Sequence, residues 1–425
     1  MKLYVIINYS SRGLGGSYIY MMNKLVYAKS IGYDINFIHT GVNKEGYLID
    51  FFKPYDHQYD ERLQESVYHF PDFKRKSIVK EVISKFGLDK GYEEIIVESC
   101  SQGCATWGEL IAKEMKAKHI VYLLGENESF ASERIYKFMD FKLKRHEMFS
   151  ITPKSIPAMF VSRRMLSEEE KNNCTLYARC SNSFSNVPYE NLKQIPTADY
   201  IIGNLGRLNK PYFRHALMDE RDYVLKHKDK TFTILIIGGD KNVDDFEEIY
   251  KIFDGINNAK VFITGRLFPI PLELMKIADV FIASAGCCVV CKNAGKMVIS
   301  YDGNDFKPIG IWGITSKNTL FRGVDEPPLH LADILDDILF IKKYKNEEEV
   351  KFMDDIINFD DHFNAIKKFD YKLQYYQFGW KECNLNDICH QIVSSLFSYQ
   401  TWKHIRLLKN TIYAKNKRYI FRITI

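Results

Sequence analysis

At 425 residues, 46 % hydrophobic and 27 % charged, the chain has the composition of a packed globular protein and is too long for one ordinary core, so two domains are expected. This composition excludes a disordered or collagen-like polymer, and the lack of any run of 18 uncharged apolar residues argues against a bilayer span. The formal charge of +5 is concentrated at one end: Thr401 to Ile425 hold seven Lys or Arg and no acid, leaving 5 − 7 = −2 for the rest, which argues against a nucleic-acid reader with a basic body.

The basic tail suits an anionic membrane surface, where each basic residue contributes about 1 kcal/mol over a short range. Nine cysteines at irregular positions point to a reducing compartment. Met1 to Ile7 is too short an apolar start for a secretory signal. A cytoplasmic protein is expected, peripheral on the inner face of the membrane where the tail engages it.

Short apolar runs alternate with helical patterns along the chain, the rhythm of an α/β protein with parallel sheets covered on both faces. Strands are expected at Leu3 to Asn8, Asp34 to Thr40, Glu94 to Ser99 and His119 to Leu124, with helices at Gly16 to Ser30, Ser77 to Phe86 and Thr106 to Ala117. From Ser150 to Pro196 four prolines and a polar run mark a linker. A second sheet is expected from Tyr200 to Gly203, Thr233 to Ile237, Lys260 to Thr264, Asp279 to Ala283 and Lys296 to Tyr301. Beyond Leu331 the pattern turns helical until a terminal Tyr419 to Ile425 strand. The division is 1–190, 198–365 and 366–425.

Two loops after strands carry glycine. Arg12 to Ser17 includes Gly15 and Gly16 and opens a helix, so it reads either as a phosphate- or sugar-facing loop or as a plain tight turn. A dinucleotide fingerprint would need glycine at Tyr18 and an acid where His39 and Thr40 stand. The second loop, Gly203 to Pro211, sets Arg207 and Lys210 beside Gly206. Two fixed cations there could meet charge building on a departing diphosphate; a solvated pair is the bland alternative, and Arg214 is a substitute for Lys210. Leu124 to Glu128 ends a strand, and Glu126 reads either as a base toward an acceptor hydroxyl or as a capping residue.

The order Gly206-Arg207-Leu208 with Lys210, Ile236 to Gly239, Phe262 to Arg266, Ala278 to Ser284, then Ala294-Gly295 resembles the donor-binding half of retaining GT-B glycosyltransferases. The group it resembles is the glycogen-synthase and mannosyltransferase kind, family 4-like, including bacterial surface-polysaccharide enzymes. The resemblance spans about residues 198–310. It implies two Rossmann-like doubly wound domains facing across a cleft with C-terminal helices, the first domain taking the acceptor and the second a nucleotide-diphosphate sugar. By position it implies that Arg207 and Lys210 hold the diphosphate, that Gly265 and Arg266 lie by the base, and that Ser284 meets the phosphates, with Gly239 nearby. It implies glycosyl transfer to a glycan or lipid-linked acceptor without metal or other cofactor.

One departure stands out. The family's two carboxylates seven residues apart after the serine are absent from Ala285 to Asn293. The amides of Ser284, Ala285, Gly286 and Cys287 at a helix start still suit a phosphate. Asp302 or Asp305 read either as replacement hydroxyl contacts or as turn residues. Cys287, Cys288 and Cys291 lack the paired spacing of a closed zinc site and read as packing, as do Cys100, Cys104 and Cys389. From Ile392 to Ile412 a helix places Ile405, Leu408 and Ile412 on one face, suited either to a membrane interface or to packing. Two rivals remain: a nucleotide-sugar epimerase on the same frame and a catalytically silent partner protein.

Overall fold

Lys2–Asn8 reads K-L-Y-V-I-I-N with its five central residues buried, and a strand apolar on both faces needs cover on both, which parallel sheets obtain from crossover helices. The computed structural model describes residues 1–13, 15–41, 49–125, 129–151, 153–176, 182–239, 246–324, 326–344, 359–368 and 373–407. The first sheet holds β1 (Lys2–Asn8), β2 (Tyr33–His39), β3 (Glu94–Ser99), β4 (Lys118–Leu123) and β5 (Met148–Ser150), all parallel in the order β2-β1-β3-β4-β5. Around it lie α1 (Gly16–Ser30), α2 (Asp72–Lys85), α3 (Gln102–Met115), α4 (Glu133–Lys144), α5 (Ser155–Phe160) and α6 (Glu168–Asn173). Successive side chains of β1 alternate between two cores, as strand geometry requires: Leu3, Val5 and Ile7 meet Trp107 and Ile111, whereas Tyr4 and Ile6 meet Tyr20 and Leu25.

A short parallel pair, β6 (Phe184–Ser185) with β10 (Ile270–Pro271), ties the connecting segment to the second unit. The second sheet has β7 (Tyr200–Leu205), β8 (Phe232–Ile237), β9 (Ala259–Ile263), β11 (Val280–Ala283), β12 (Val298–Tyr301) and β13 (Pro308–Ile311), ordered β13-β12-β11-β7-β8-β9. Only the β12/β13 pairing is antiparallel. Its helices are α7 (Pro211–Lys226), α8 (Phe246–Ile252), α9 (Leu272–Ile277), α10 (Gly286–Asn293) and α11 (Leu331–Leu339).

The chain then returns. Helix α12 (Phe359–Lys368) inserts Phe359, Phe363 and Ile366 into the core that holds Tyr4 and Tyr20, and Phe378 and Trp402 join the opposite core of the same sheet. The return thus begins at Phe359, ahead of the division expected at 366. The last helices are α13 (Leu385–Leu396) and residues 399–407. Phe397, with extended backbone, breaks what the sequence reads as one helix from Ile392 onward, and Leu408, Ile412 and the expected Tyr419–Ile425 strand lie outside the described residues. No helix among the described residues is long and apolar enough to cross a membrane.

The strand order fixes where ligands can sit. In each sheet the direction of winding reverses, between β1 and β3 in the first and between β7 and β11 in the second. Loops leaving the carboxyl ends of two such strands run apart and leave a crevice between them.

Candidate functional site

At the second reversal, β7 ends in Leu205 and is followed by Gly206 and Arg207. Lys210 caps α7, with Pro211 at the first helical position, where its fixed φ suits the helix and its missing N–H costs nothing. The Lys210 amide bonds the Arg207 carbonyl at 3.2 Å, closing a turn that carries both cations. Arg207 is exposed and Lys210 half-buried, and neither pairs with a carboxylate among the described residues. Arg214 differs in having a partner: its guanidinium pairs with Glu248 at 3.0 Å, both side chains exposed.

Gly238 and Gly239 end β8, and Gly265 follows β9 and bridges to Gly238. A Cβ on Gly238 would stand 2.0 Å from the Gly206 carbonyl oxygen, so the backbones of the β7 and β8 loops touch directly. Arg266 is half-buried beside them. Two residues on, Phe268 packs against the aromatic core of the first sheet, so the loop after β9 reaches the other domain.

Across the reversal, β11 leads into Ser284, which is buried and donates its hydroxyl toward the carbonyls of Tyr301 at 3.0 Å and Thr319 at 3.2 Å. That hydroxyl is a tether for the loop rather than an open contact. Ala285 holds φ 52° and ψ −134°, a rare conformation for a residue with a Cβ, pinned by its amide on the Thr319 carbonyl at 2.7 Å. The strained turn starts α10 at Gly286, ahead of the first turn bonds from Cys287 to Ser284 and from Cys288 to Ala285. The first turn has no acid, leaving the partial positive charge of the helix end uncancelled.

The two sides share one electrostatic environment. Burial pushes the Cys287 thiol up to about 11, against the pull of Arg207 and Lys210, whose charges both reach it. Both cations therefore lie within electrostatic reach of the Cys287 thiol on the opening turn of α10. Cys288 and Cys291 are buried in the apolar packing behind it, and no group of three metal-binding side chains occurs among the described residues.

Asp302 is otherwise engaged. It is buried, its Oδ1 accepts from the amides of Asn304 and Asp305 and its Oδ2 from Arg322, so it holds its own turn. Asp305 pairs with Arg322 at 2.5 Å.

In the first domain, Gly15 caps α1 and its carbonyl receives the amides of Tyr18 and Ile19; Gly16 is the first helical residue. Beside this loop a cavity of about 90 Å³ is lined by Ser10, Ser11, Arg12, His39, Gly41, Asp56 and Tyr59. Arg12 reaches Asp56 with two nitrogens, at 3.0 and 2.5 Å, and with Ser11 at 2.7 Å it holds the Asp56 carboxyl down at about 2. His39 bonds the carbonyls of Gly41 at 3.1 Å and Asp56 at 2.9 Å. Sequence reasoning missed Asp56, which follows a 3-10 turn with neither strand nor helix periodicity. Glu126 lies outside the described residues.

No protein-family model and no curated protein matches the chain. Solved structures do match in architecture. The lipopolysaccharide outer core galactosyltransferase WaaB, in apo form, is 14 % identical with a TM-score of 0.52, over 86 % of this chain and 99 % of that one. A glycosyltransferase from Rickettsia africae is 19 % identical with a TM-score of 0.54, over 87 % and 93 %. Anabaena HepE, in complex with UDP and glucose, is 12 % identical with a TM-score of 0.53, over 93 % and 99 %. Identities this low speak to architecture alone. With one parallel and one mostly parallel sheet, a reversal in each and C-terminal helices returning to the first, the chain has the GT-B fold, two Rossmann-like domains facing across a cleft.

Proposed function

We propose that the chain is a glycosyltransferase that moves a sugar from a nucleoside-diphosphate sugar to a hydroxyl of a glycan or lipid-linked acceptor in cell-surface polysaccharide synthesis. One observation carries the reading: two cations that pair with no carboxylate among the described residues stand on the loop after β7, and the helix that follows β11, across the reversal of the second sheet, starts without an acid. A structural neighbour with UDP and glucose bound, and another that builds lipopolysaccharide outer core, support the ligand class.

The chemistry follows from charge. As the bond between sugar carbon and β-phosphate oxygen breaks, negative charge rises on the leaving diphosphate. A bidentate guanidinium, a neighbouring ammonium and helix-end amides stabilise that charge where it forms, the role a divalent ion would otherwise fill. Gly206, Gly239 and Gly265 let the donor approach backbone, and we place Arg266 by the base. Gly15 and Gly16 of the first domain close on the donor from the other side, and Glu126, which follows β4 in sequence, takes the acceptor proton. Ser284, Ala285 and Asp302 contribute by shaping the loops that carry these groups.

A thermal-shift panel of UDP, GDP, ADP and dTDP sugars tests the reading, because a ligand at 100 times its Kd adds about 2.7 kcal/mol of apparent stability. At least one nucleotide sugar is expected to raise Tm in the wild type and to lose most of that shift in Arg207→Ala. A flat panel ends the proposal. Epimerised free donor moves the chain to the epimerase class, and binding without turnover on any acceptor makes it a silent partner.

A further inference from the structure

The cavity of about 90 Å³ in the first domain is built from three separate pieces of chain. Ser10, Ser11 and Arg12 follow β1, His39 ends β2 with Gly41 just beyond it, and Asp56 and Tyr59 come after the 3-10 turn at Asp50–Tyr55. The His39 amide bonds the Gln58 carbonyl at 3.0 Å and the Asp60 amide bonds the His39 carbonyl at 3.1 Å, so the third piece is fastened to the end of β2. The volume is several times the ~10 to 15 Å³ that one water requires, enough for one edge of a sugar ring.

Its polar groups can be counted. His39 sets both ring nitrogens against carbonyls, those of Gly41 and Asp56. Ser10 Oγ donates to the Arg12 carbonyl and receives the Arg12 amide, and Ser11 Oγ donates to Asp56 Oδ1. Asp56 Oδ1 also receives Arg12 Nε, while Oδ2 receives Arg12 Nη2. A carboxylate has about four acceptor positions and a guanidinium five N–H donors. Among the described residues, an acceptor position on Oδ2 and the N–H groups of Arg12 Nη1 are therefore unused. Neither side chain is sealed off, with Arg12 41 % and Asp56 29 % exposed.

The unused groups are a donor and an acceptor side by side, held in place by the bidentate pair. An entering anion would meet an Arg12 charge that Asp56 already neutralises, and an entering cation would meet the converse. Two hydroxyls on neighbouring carbons suit both groups without separating the pair, one accepting from Arg12 and the other donating to Asp56. Held down at about 2, the Asp56 carboxyl stays ionised and accepting at neutral pH.

We propose that the Arg12–Asp56 pair is the specificity-determining contact for the acceptor, reading two adjacent hydroxyls of its terminal sugar in the first-domain cavity. Resting on the transferase reading, this contact deepens it: the acceptor is chosen by a neutral sugar edge rather than by a phosphate. Arg12 also opens the loop of Gly15 and Gly16, which the same reading sets against the donor, so acceptor and donor lie side by side.

The test is saturation-transfer NMR on the full chain with the methyl glycosides of glucose, galactose, mannose and N-acetylglucosamine, and with inorganic phosphate as an anionic competitor. At least one glycoside is expected to bind and to resist phosphate. On the wild-type protein, its monodeoxy derivatives are expected to bind at least about tenfold more weakly when either of two adjacent hydroxyls is removed, since each loss leaves a charged partner unsatisfied. Asp56→Asn and Arg12→Gln, each checked for folding by Tm, are expected to show the same loss. The proposal is overturned if no glycoside binds, if phosphate displaces it, if every deoxy derivative binds like its parent, or if both folded variants bind as well as wild type. Displacement of the glycoside by a nucleotide sugar but not by its nucleotide also overturns it, by assigning the cavity to the donor. A donor-induced thermal shift without glycoside binding leaves the transferase reading standing alone. Glycoside binding with a flat nucleotide panel removes that reading and keeps the diol contact.

Discussion

Arg207 matters because nothing in the described protein neutralises it, and an uncompensated cation at a ligand edge acts on whatever charge arrives. If it meets charge that forms only as the diphosphate leaves, Arg207→Ala is expected to lower kcat and kcat/KM together by about 100-fold, or about 2.7 kcal/mol, with Arg207→Lys between. A rise in KM alone would assign it to ground-state binding. Proximity without access is the contrary case. Ser99 Oγ lies 3.0 Å from His119 Nε2, whose Nδ1 lies 2.7 Å from Glu109, the spacing of a nucleophile triad. All three are buried, and Lys142 also binds Glu109 at 3.0 Å, so this network packs α3 and α4 onto the sheet and meets no substrate. The glycines of the site can be ranked in the same way. Gly238→Ala puts a methyl on a backbone oxygen at positive φ and is expected to cost more than about 3 kcal/mol, whereas Gly265→Ala, with its nearest atom 4.0 Å away, bears mainly the φ penalty of about 1 kcal/mol. Equal Tm values for the two variants would refute the backbone contact.

Elements of the second domain show why a buried acid can be retained at a cost. Glu220 of α7 is fully buried; Asn204 of β7 donates to its Oε2 at 3.1 Å while Oε1 has no partner. Burial raises its pKa well above the ordinary carboxylate value of 4.5. A raised folded pKa means that its contribution is fully present below the unfolded value and is lost as pH rises toward the folded one. Glu220→Gln is therefore expected to stabilise the protein at pH 7.5 by about 1 to 3 kcal/mol and to change little at pH 4, measured as Tm at both. The long parallel strands were legible in sequence to within about two residues because their apolar runs stand between glycine loops and helical patterns. Strand β5, three residues long, ends where the expected linker begins and was not expected, and β13 reads Pro-Ile-Gly-Ile, a composition that strand propensity disfavours. The open apolar face of α13, with Leu385 and Leu396 exposed, was illegible for a different reason. Periodicity shows that a stripe exists, not which side meets the protein.

The path of the chain across the whole molecule sets which domain depends on which segment. Helix α12 follows the second domain in sequence, yet its side chains complete the first core. Phe363 is buried among Tyr4, Tyr27 and Tyr33 with ring centres 5.3 to 5.5 Å apart, and His362 Nδ1 lies 3.1 Å from the buried Lys24 amine. Sequence revealed a helical region there but not its destination, because the contacts join residues more than 300 positions apart. Removing a buried aromatic costs about 3 to 5 kcal/mol where the cavity cannot collapse, and three rings fixed around this one leave little room to do so. Phe363→Ala is therefore expected to speed amide exchange in β1 and β3 while β8 exchanges as before, since opening free energies follow local packing rather than sequence order. Donor binding at the second sheet should survive in the same variant. Faster exchange in β8 with β1 unchanged would mean that α12 belongs energetically to the second domain, and the return of the chain would then be a contact without a stabilising role.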